Sequence, residues 1–122
     1  MSYVLFDIGG TKTRVALSEN LETLSDLKSF PTPKTFKAGI EAIKKAVEEM
    51  KPKMPIKAIC GGIRGLLNEE KSGIDNDAIL SGWARSSITD ALGKHFKTKV
   101  YLENDTALAG LGEAVFGAGK GI

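Results

Sequence analysis

The sequence predicts an α/β domain in which helices cover a mixed five-stranded sheet, with the element order β-β-β-α-β-α-β-α. Near the start, two apolar runs flank a pair of glycines, as in a β-hairpin. From residue 36 onward, short apolar runs alternate with segments of helical periodicity. The composition, 42% hydrophobic and 26% charged residues over 122 positions, is typical of one globular domain. Hairpin-connected strands followed by strand-helix alternation favour a mixed sheet.

Three strands are expected first. Tyr3 to Ile8 alternates and is rich in aromatic and branched side chains, which is typical of a strand. The glycine pair interrupts this run, and Thr13 to Leu17 resumes it, so the two strands form a hairpin. A third strand is expected over Thr23 to Phe30, and two prolines mark the loop that follows.

The remaining elements alternate between helix and strand. Apolar residues at helical spacing predict a helix from Phe36 to Met50. The short apolar run from Ile56 to Cys60 predicts a buried strand that ends at the next two glycines, before a polar loop over residues 64–79. Expected after that loop are a helix marked by Ile88, Ala91, Leu92 and Phe96, a strand over Val100 to Leu102, and a helix that opens at Asp105 with Leu108, Leu111, Val115 and Phe116 as its apolar stripe.

Charge and cysteine content exclude several classes of function. A net charge of +2 without a basic run argues against nucleic-acid binding. The sequence has no apolar run of membrane length, so no membrane span is expected. Its single cysteine, Cys60, is expected to be a buried small hydrophobe in a reducing, cytoplasmic setting. The only histidine, His95, is expected on a surface helix without a catalytic role.

The glycine hairpin is the first candidate site. A strand carries Asp7 to a turn whose glycines let a ligand touch the backbone, and amide groups of such a turn can converge on an anion. A divalent cation such as Mg²⁺, bound through water, would relieve repulsion between that anion and Asp7. A plain hairpin with a solvated lysine is the structural alternative. The predicted cofactor-binding residues are Asp7, Gly9, Gly10, Thr11, Lys12 and Thr13.

Two further places follow predicted strands. The fifth strand delivers Asn104 and Asp105 to its carboxyl end, where open α/β sheets bind ligands. Asp105 is placed to accept the proton of an attacking hydroxyl, and Asn104 to hold a neighbouring one. Alternatively, Asp105 is only the N-cap of its helix. The loop around Gly65 also follows a buried strand, and its alternative is a tight surface turn.

Two segments together resemble the ROK family (repressors, open reading frames and kinases). Residues 7–14, DIGGTKTR, resemble the first phosphate motif of its sugar kinases. Residues 103–114, ENDTALAGLGEA, and 116–121, FGAGKG, resemble its sugar-site segment. The resemblance covers the whole chain. It implies the ribonuclease-H-like fold of the actin-like ATPase superfamily, with ATP phosphates and Mg²⁺ at the glycine hairpin, Asp105 as catalytic base, and Asn104 and Gly65 at the sugar.

The sequence also departs from the family's pattern. The loop over residues 61–68 lacks the Pro-Gly that is common in the family's counterpart, so sugar preference is not predicted. The family's second phosphate motif, its sugar-binding Glu and His residues and its Cys-rich zinc site would all follow Ile122. We therefore expect residues 1–122 to be one N-terminal lobe whose C-terminal lobe is absent from this chain, with zinc only in that missing half.

Three functions remain open. The first is ATP-dependent phosphorylation of a hexose or N-acetylhexosamine by the intact parent, with the isolated lobe inactive. The second is the sugar domain of a ROK regulator, which we expect less because only six residues precede Asp7. The third is a non-catalytic module, because an unpaired lobe exposes apolar surface that favours dimerisation. We expect a homo-oligomer that binds sugar and ATP.

Overall fold

The computed structural model describes residues 2–20, 25–63, 66–76, 81–84 and 86–104. The elements in chain order are β1 (Ser2–Ile8), β2 (Lys12–Ser18), β3 (Asp26–Pro31), α1 (Phe36–Met50), β4 (Ile56–Ile63), β5 (Leu66–Leu67), β6 (Ile74–Asn76), one 3₁₀ turn (Ser81–Trp83), α2 (Ile88–Phe96) and β7 (Lys99–Asn104).

Five of these strands form one mixed sheet in the order β3-β2-β1-β4-β7. The three N-terminal strands pair antiparallel, whereas β4 and β7 run parallel to β1. Parallel neighbours need long crossovers, and α1 and α2 lie in the segments that connect β3 to β4 and β4 to β7. The predicted mixed five-stranded sheet is confirmed. The predicted third helix lies outside the described residues.

Both helices begin at residues that are favoured as N-caps. Thr35 caps α1 by accepting the Ala38 N–H at 3.2 Å, and Ser87 caps α2 by accepting the Asp90 N–H at 3.2 Å. Each helix ends at a lysine in the left-handed region. The helices bury one face against the sheet, in a core that includes Val4, Phe6, Ile8, Val15, Leu17, Ile40, Ile43, Val47, Ile59, Ile63, Trp83, Ile88, Leu92 and Leu102.

The prediction that Gly61 and Gly62 end the fourth strand was wrong. β4 continues through both glycines to Ile63. The ring of Phe6, only 1% exposed on the neighbouring strand, fills the space that a side chain at Gly61 would need. This glycine therefore makes room for a core aromatic ring, and the strand does not turn there.

The expected polar loop over residues 64–79 contains a small antiparallel pair, β5 with β6. A tight turn joins them, in which Asn68 Oδ1 accepts the Ser72 N–H at 2.9 Å and Lys71 has a φ of 55°. The Ser72 carbonyl then accepts the Ile88 N–H at 2.8 Å, which ties this turn to the start of α2. The third strand was expected from Thr23, but residues 21–24 lie outside the described residues. In the structure, β3 begins at Asp26.

Trp83 anchors the connection between β3 and α1. It is fully buried, its Nε1 donates to the Pro33 carbonyl at 2.8 Å, and its ring meets Phe36 edge to face at 6.1 Å between centroids. A Cβ added at Gly39 would overlap the same ring. The segment after β3 is therefore held against the core.

Neither α1 nor α2 is long and apolar enough to cross a membrane, and the rest of the described chain has no such helix.

We predict that Gly61→Ala lowers the free energy of unfolding by about 1–3 kcal/mol, the usual cost of overfilling a packed core. Urea unfolding measures it. Phe6→Leu should make room for the new methyl group, so the double variant should lose less than the sum of the single losses. Unchanged stability of Gly61→Ala, or strict additivity in the cycle, would contradict this packing.

Candidate functional site

Three parallel strands end at one edge of the sheet. Ile8 of β1 pairs with Ile63 of β4, which in turn pairs with Asn104 of β7. Strands lie roughly 4.8 Å apart, so the backbones of Ile8 and Asn104 are about 10 Å apart. The glycine turn after β1 and the end of β7 therefore share this edge, as predicted for the carboxyl ends of parallel strands.

Hydrogen bonds from Gly9 and Thr32 fix the glycine turn, residues 9–12. The Gly9 N–H donates to the Lys12 carbonyl at 3.0 Å, and a Cβ on Gly9 would lie only 3.0 Å from the same oxygen. Thr32 donates twice, from its hydroxyl to the Gly9 carbonyl at 2.8 Å and from its N–H to the Thr11 carbonyl at 3.0 Å. The carbonyls of Gly9, Thr11 and Lys12 are thus occupied.

The amides of Gly10 and Thr11 make no hydrogen bond to any residue that the structure describes. Thr11 and Lys12 are exposed, and Gly10 is partly exposed. Lys12 makes no ion pair within the same described ranges. The turn therefore presents two backbone donors and one ammonium group to solvent, which is the chemistry of a small anion site.

Asp7 has a partner that the sequence analysis did not identify. Its Oδ2 accepts from Nη2 of Arg14 at 2.7 Å, on the paired position of β2. The Asp7 side chain is 28% exposed and that of Arg14 58%, so the pair contributes little to stability. Asp7 Oδ1 has no hydrogen-bond partner among the described residues. One carboxylate with an open oxygen fits a Mg²⁺ ion bound through water and phosphate.

Thr13 lies on the other face of the hairpin. It is fully buried, and its hydroxyl is 2.8 Å from the Thr32 hydroxyl. Because the Thr32 proton goes to Gly9, Thr13 is the donor in this contact. We therefore assign the Thr13 side chain to the support of the turn and not to direct contact with a phosphate.

The other predicted site residues are only partly described. The end of β7 places the backbone of Asn104 at the shared edge. Gly65 and Asp105 lie outside the described residues, so their roles stay predictions. Within the described ranges, no group of three or more His, Cys, Asp or Glu side chains could hold a metal ion.

Cys60 and His95 lie away from the turn. Cys60 packs against Leu5 and Ala16 on the face of the sheet opposite the two helices, and burial raises the pKa of its thiol. His95 is near the end of α2, just before β7 begins, and therefore at the opposite end of the sheet. Its Nε2 lies 3.5 Å from Glu48 of α1.

Sequence reasoning missed Thr32, which donates hydrogen bonds to the carbonyls of Gly9 and Thr11. The one available signal was its position between two prolines directly after an edge strand, where the backbone is restricted. The partners of its hydroxyl are 19 and 23 positions away, so no local pattern indicated them.

The mixed five-stranded sheet with its two helices has the actin-like, ribonuclease-H-like fold. The family model for the ROK family matches residues 3–122. The chain belongs to the ROK family.

Individual relatives agree with this assignment. A glucokinase of Streptomyces coelicolor is 30% identical over 115 residues, which are 94% of this chain and 36% of that protein. The chain thus spans little more than a third of this curated relative. A ROK hexokinase from Thermus thermophilus matches with a TM-score of 0.81 at 29% identity, covering 99% of this chain and 41% of the hexokinase.

Two more distant structures share the fold. A ROK glucokinase from Streptomyces griseus, solved with glucose and AMPPNP, gives a TM-score of 0.82 at 24% identity and covers 98% of this chain and 38% of its own. A ROK transcriptional regulator gives 0.74 at 15% identity, with coverages of 99% and 32%. Kinases and regulators of the family therefore share this architecture.

We predict that the stability of the protein falls at alkaline pH more than that of Cys60→Ser. Because burial raises the thiol pKa, the folded state holds the proton more tightly. Stability is fully present below the ordinary thiol pKa and is lost as the pH rises through the raised value. Urea unfolding from neutral to alkaline pH measures the difference between the two proteins. Identical pH profiles would contradict it.

Proposed function

We propose that the chain is the N-terminal lobe of an ATP-dependent sugar kinase, which transfers the γ-phosphate of ATP to a hydroxyl of a hexose or N-acetylhexosamine. The observation that carries this proposal is the glycine turn at the sheet edge where β7 ends. It has an exposed lysine and two amides that find no partner in the part of the chain that the structure describes. Glucokinases and hexokinases among the relatives support the same class of reaction.

The turn would hold phosphate oxygens of the nucleotide. The amides of Gly10 and Thr11 would donate to them, and Lys12 would add a mobile positive charge. The exposed hydroxyl of Thr11 is a further donor. Asp7 would hold Mg²⁺ through water, and the cation, when bound, neutralises charge on the phosphates.

The sugar would approach from the end of β7. Asp105 would accept the proton of the attacking hydroxyl, while Asn104 and the loop at Gly65 would hold the sugar. Positioning and charge neutralisation carry most of a phosphoryl transfer, so this division of roles fits the reaction. The complex of the Streptomyces griseus relative with glucose and AMPPNP supports a sugar and a nucleotide as joint ligands.

A sugar-sensing regulator is the second candidate, because a ROK transcriptional regulator has the same fold. In that case the site would bind sugar without turnover.

The isolated lobe is proposed to be inactive, because in the family the rest of the site belongs to a second lobe. We further propose a cytoplasmic homo-oligomer that contacts neither nucleic acid nor membrane. Zinc would be bound only by a C-terminal lobe.

We predict that Asp7→Asn weakens binding of Mg-ATP to this chain by about tenfold, the value of a charge-assisted contact. Binding of ATP without Mg²⁺ should not weaken, because the substitution also removes a charge that repels phosphate. Calorimetric titration measures both. Asp26→Asn is the matched control, since its Oδ1 can still accept the Leu27 N–H. Equal losses with and without Mg²⁺ would contradict a cation role.

We predict that Asp105→Asn, made in the longest product of the gene, lowers sugar-dependent ADP release by at least about a hundredfold, the contribution of a general base. The assay compares this chain with the longest product of its gene, across a panel of hexoses with Mg-ATP. Circular dichroism verifies folding, and Asp90→Asn on the surface of α2 is the control. Turnover unaffected by Asp105→Asn would remove its catalytic role. Sugar binding without turnover by the longest product would favour the regulator.

A further inference from the structure

Thr32 connects the edge strand β3 to the glycine turn with three hydrogen bonds. Its hydroxyl donates to the Gly9 carbonyl and accepts from Thr13, and its N–H donates to the Thr11 carbonyl. We propose that Thr32 is a positioning residue, which fixes the turn in the shape that presents its amides to an anion. This inference rests on the proposed nucleotide site but adds a residue outside the motif.

The proton count fixes the direction of these contacts. Each hydroxyl has one proton to donate. If the Thr32 proton went to Thr13, the Gly9 carbonyl would lose its donor, and the buried Thr13 proton would have no acceptor in this pair. The arrangement that satisfies all three groups runs from Thr13 to Thr32 to Gly9. A buried polar group is thereby paired, and the turn is tied to the core.

The bond to Gly9 determines where the Gly10 amide points. In a trans peptide, the carbonyl of one residue and the N–H of the next point in opposite directions. Holding the Gly9 oxygen toward Thr32 therefore aims the Gly10 N–H away from Thr32, toward the exposed side of the turn. Glycine resists rotation of this peptide group poorly, and the rotated state would present an oxygen to the anion. Thr32 removes that alternative.

Thr32 is itself held on both sides. Pro31 and Pro33 flank it, and a residue before proline is restricted to extended backbone. The Pro33 carbonyl accepts from Nε1 of the fully buried Trp83 at 2.8 Å. The donor that shapes the turn is thus anchored in the core, so its position does not depend on the turn that it orders.

The test uses the full chain and three variants. Thr32→Val keeps the shape and removes the hydroxyl, whereas Thr32→Ser restores it. Thr98→Val is the matched control, because its Oγ1 donates to the Lys57 carbonyl at 2.7 Å at the other end of the sheet. Hydrogen exchange of the two hydrogen-bonded amides at the turn, the N–H groups of Gly9 and Thr32, requires no ligand, and calorimetry with Mg-ATP gives affinity. Should Thr32→Val not fold, Thr32→Ala is measured in its place.

Thr32→Val is expected to speed exchange of the Gly9 and Thr32 amides and to weaken Mg-ATP binding, each by roughly fivefold to tenfold for the loss of one hydrogen bond. Thr32→Ser should restore both, and Thr98→Val should change neither. Unchanged exchange in the turn would overturn the proposal, as would faster exchange with unchanged Mg-ATP affinity. Failure of the unmodified chain to bind Mg-ATP would count against the nucleotide site. The exchange data would then decide the role of Thr32 alone.

Discussion

The close packing of β1 on β4 is the constraint on which the rest of the structure depends. β1 lies at the centre of the sheet, and the Phe6 ring occupies the space above Gly61 on its parallel neighbour. This contact fits the two strands together in one register, in which the last residue of β1, Ile8, pairs with the last residue of β4, Ile63. Since β7 continues that register, the glycine turn and the backbone of Asn104 lie at the same edge of the sheet. A core packing contact thus places the candidate site.

The electrostatics of the site follow from which backbone groups are already bonded. The carbonyls of Gly9, Thr11 and Lys12 are bound by Thr32 and by the Gly9 amide, so these three oxygens are not free to face an anion. The groups of the turn that can donate to an anion are the amides of Gly10 and Thr11 and the exposed lysine. Asp7 adds the opposite charge, and Arg14 balances it at 2.7 Å in the structure described. A cation and a phosphate entering together would preserve that balance, which is the physical reason to expect them as one ligand.

Much of the fold could be predicted because its signals are local. The hairpin, α1 and α2 follow from spacing and capping within each segment. The continuation of β4 through its glycines could not be predicted from the sequence, because its reason is the Phe6 ring on the neighbouring strand β1. The candidate site, too, was only partly predictable from local sequence. The motif that contains Asp7 was evident, but Arg14 as its partner, the burial of Thr13 and the hydrogen bonds of Thr32 depend on pairing between strands.

At this turn, the residues that order the backbone differ from those that would contact an anion. Glycines permit close approach of a ligand but fix no conformation, so the residues that admit the anion cannot also order the backbone. Order has to come from elsewhere, and the structure supplies it from β3 through Thr32 and from the core through Trp83. Two amides and one lysine would offset only part of the charge of a nucleoside triphosphate. Under the proposed function, the remaining neutralisation would come from Mg²⁺ and from the rest of the site, so this turn would orient the phosphates more than it determines their affinity.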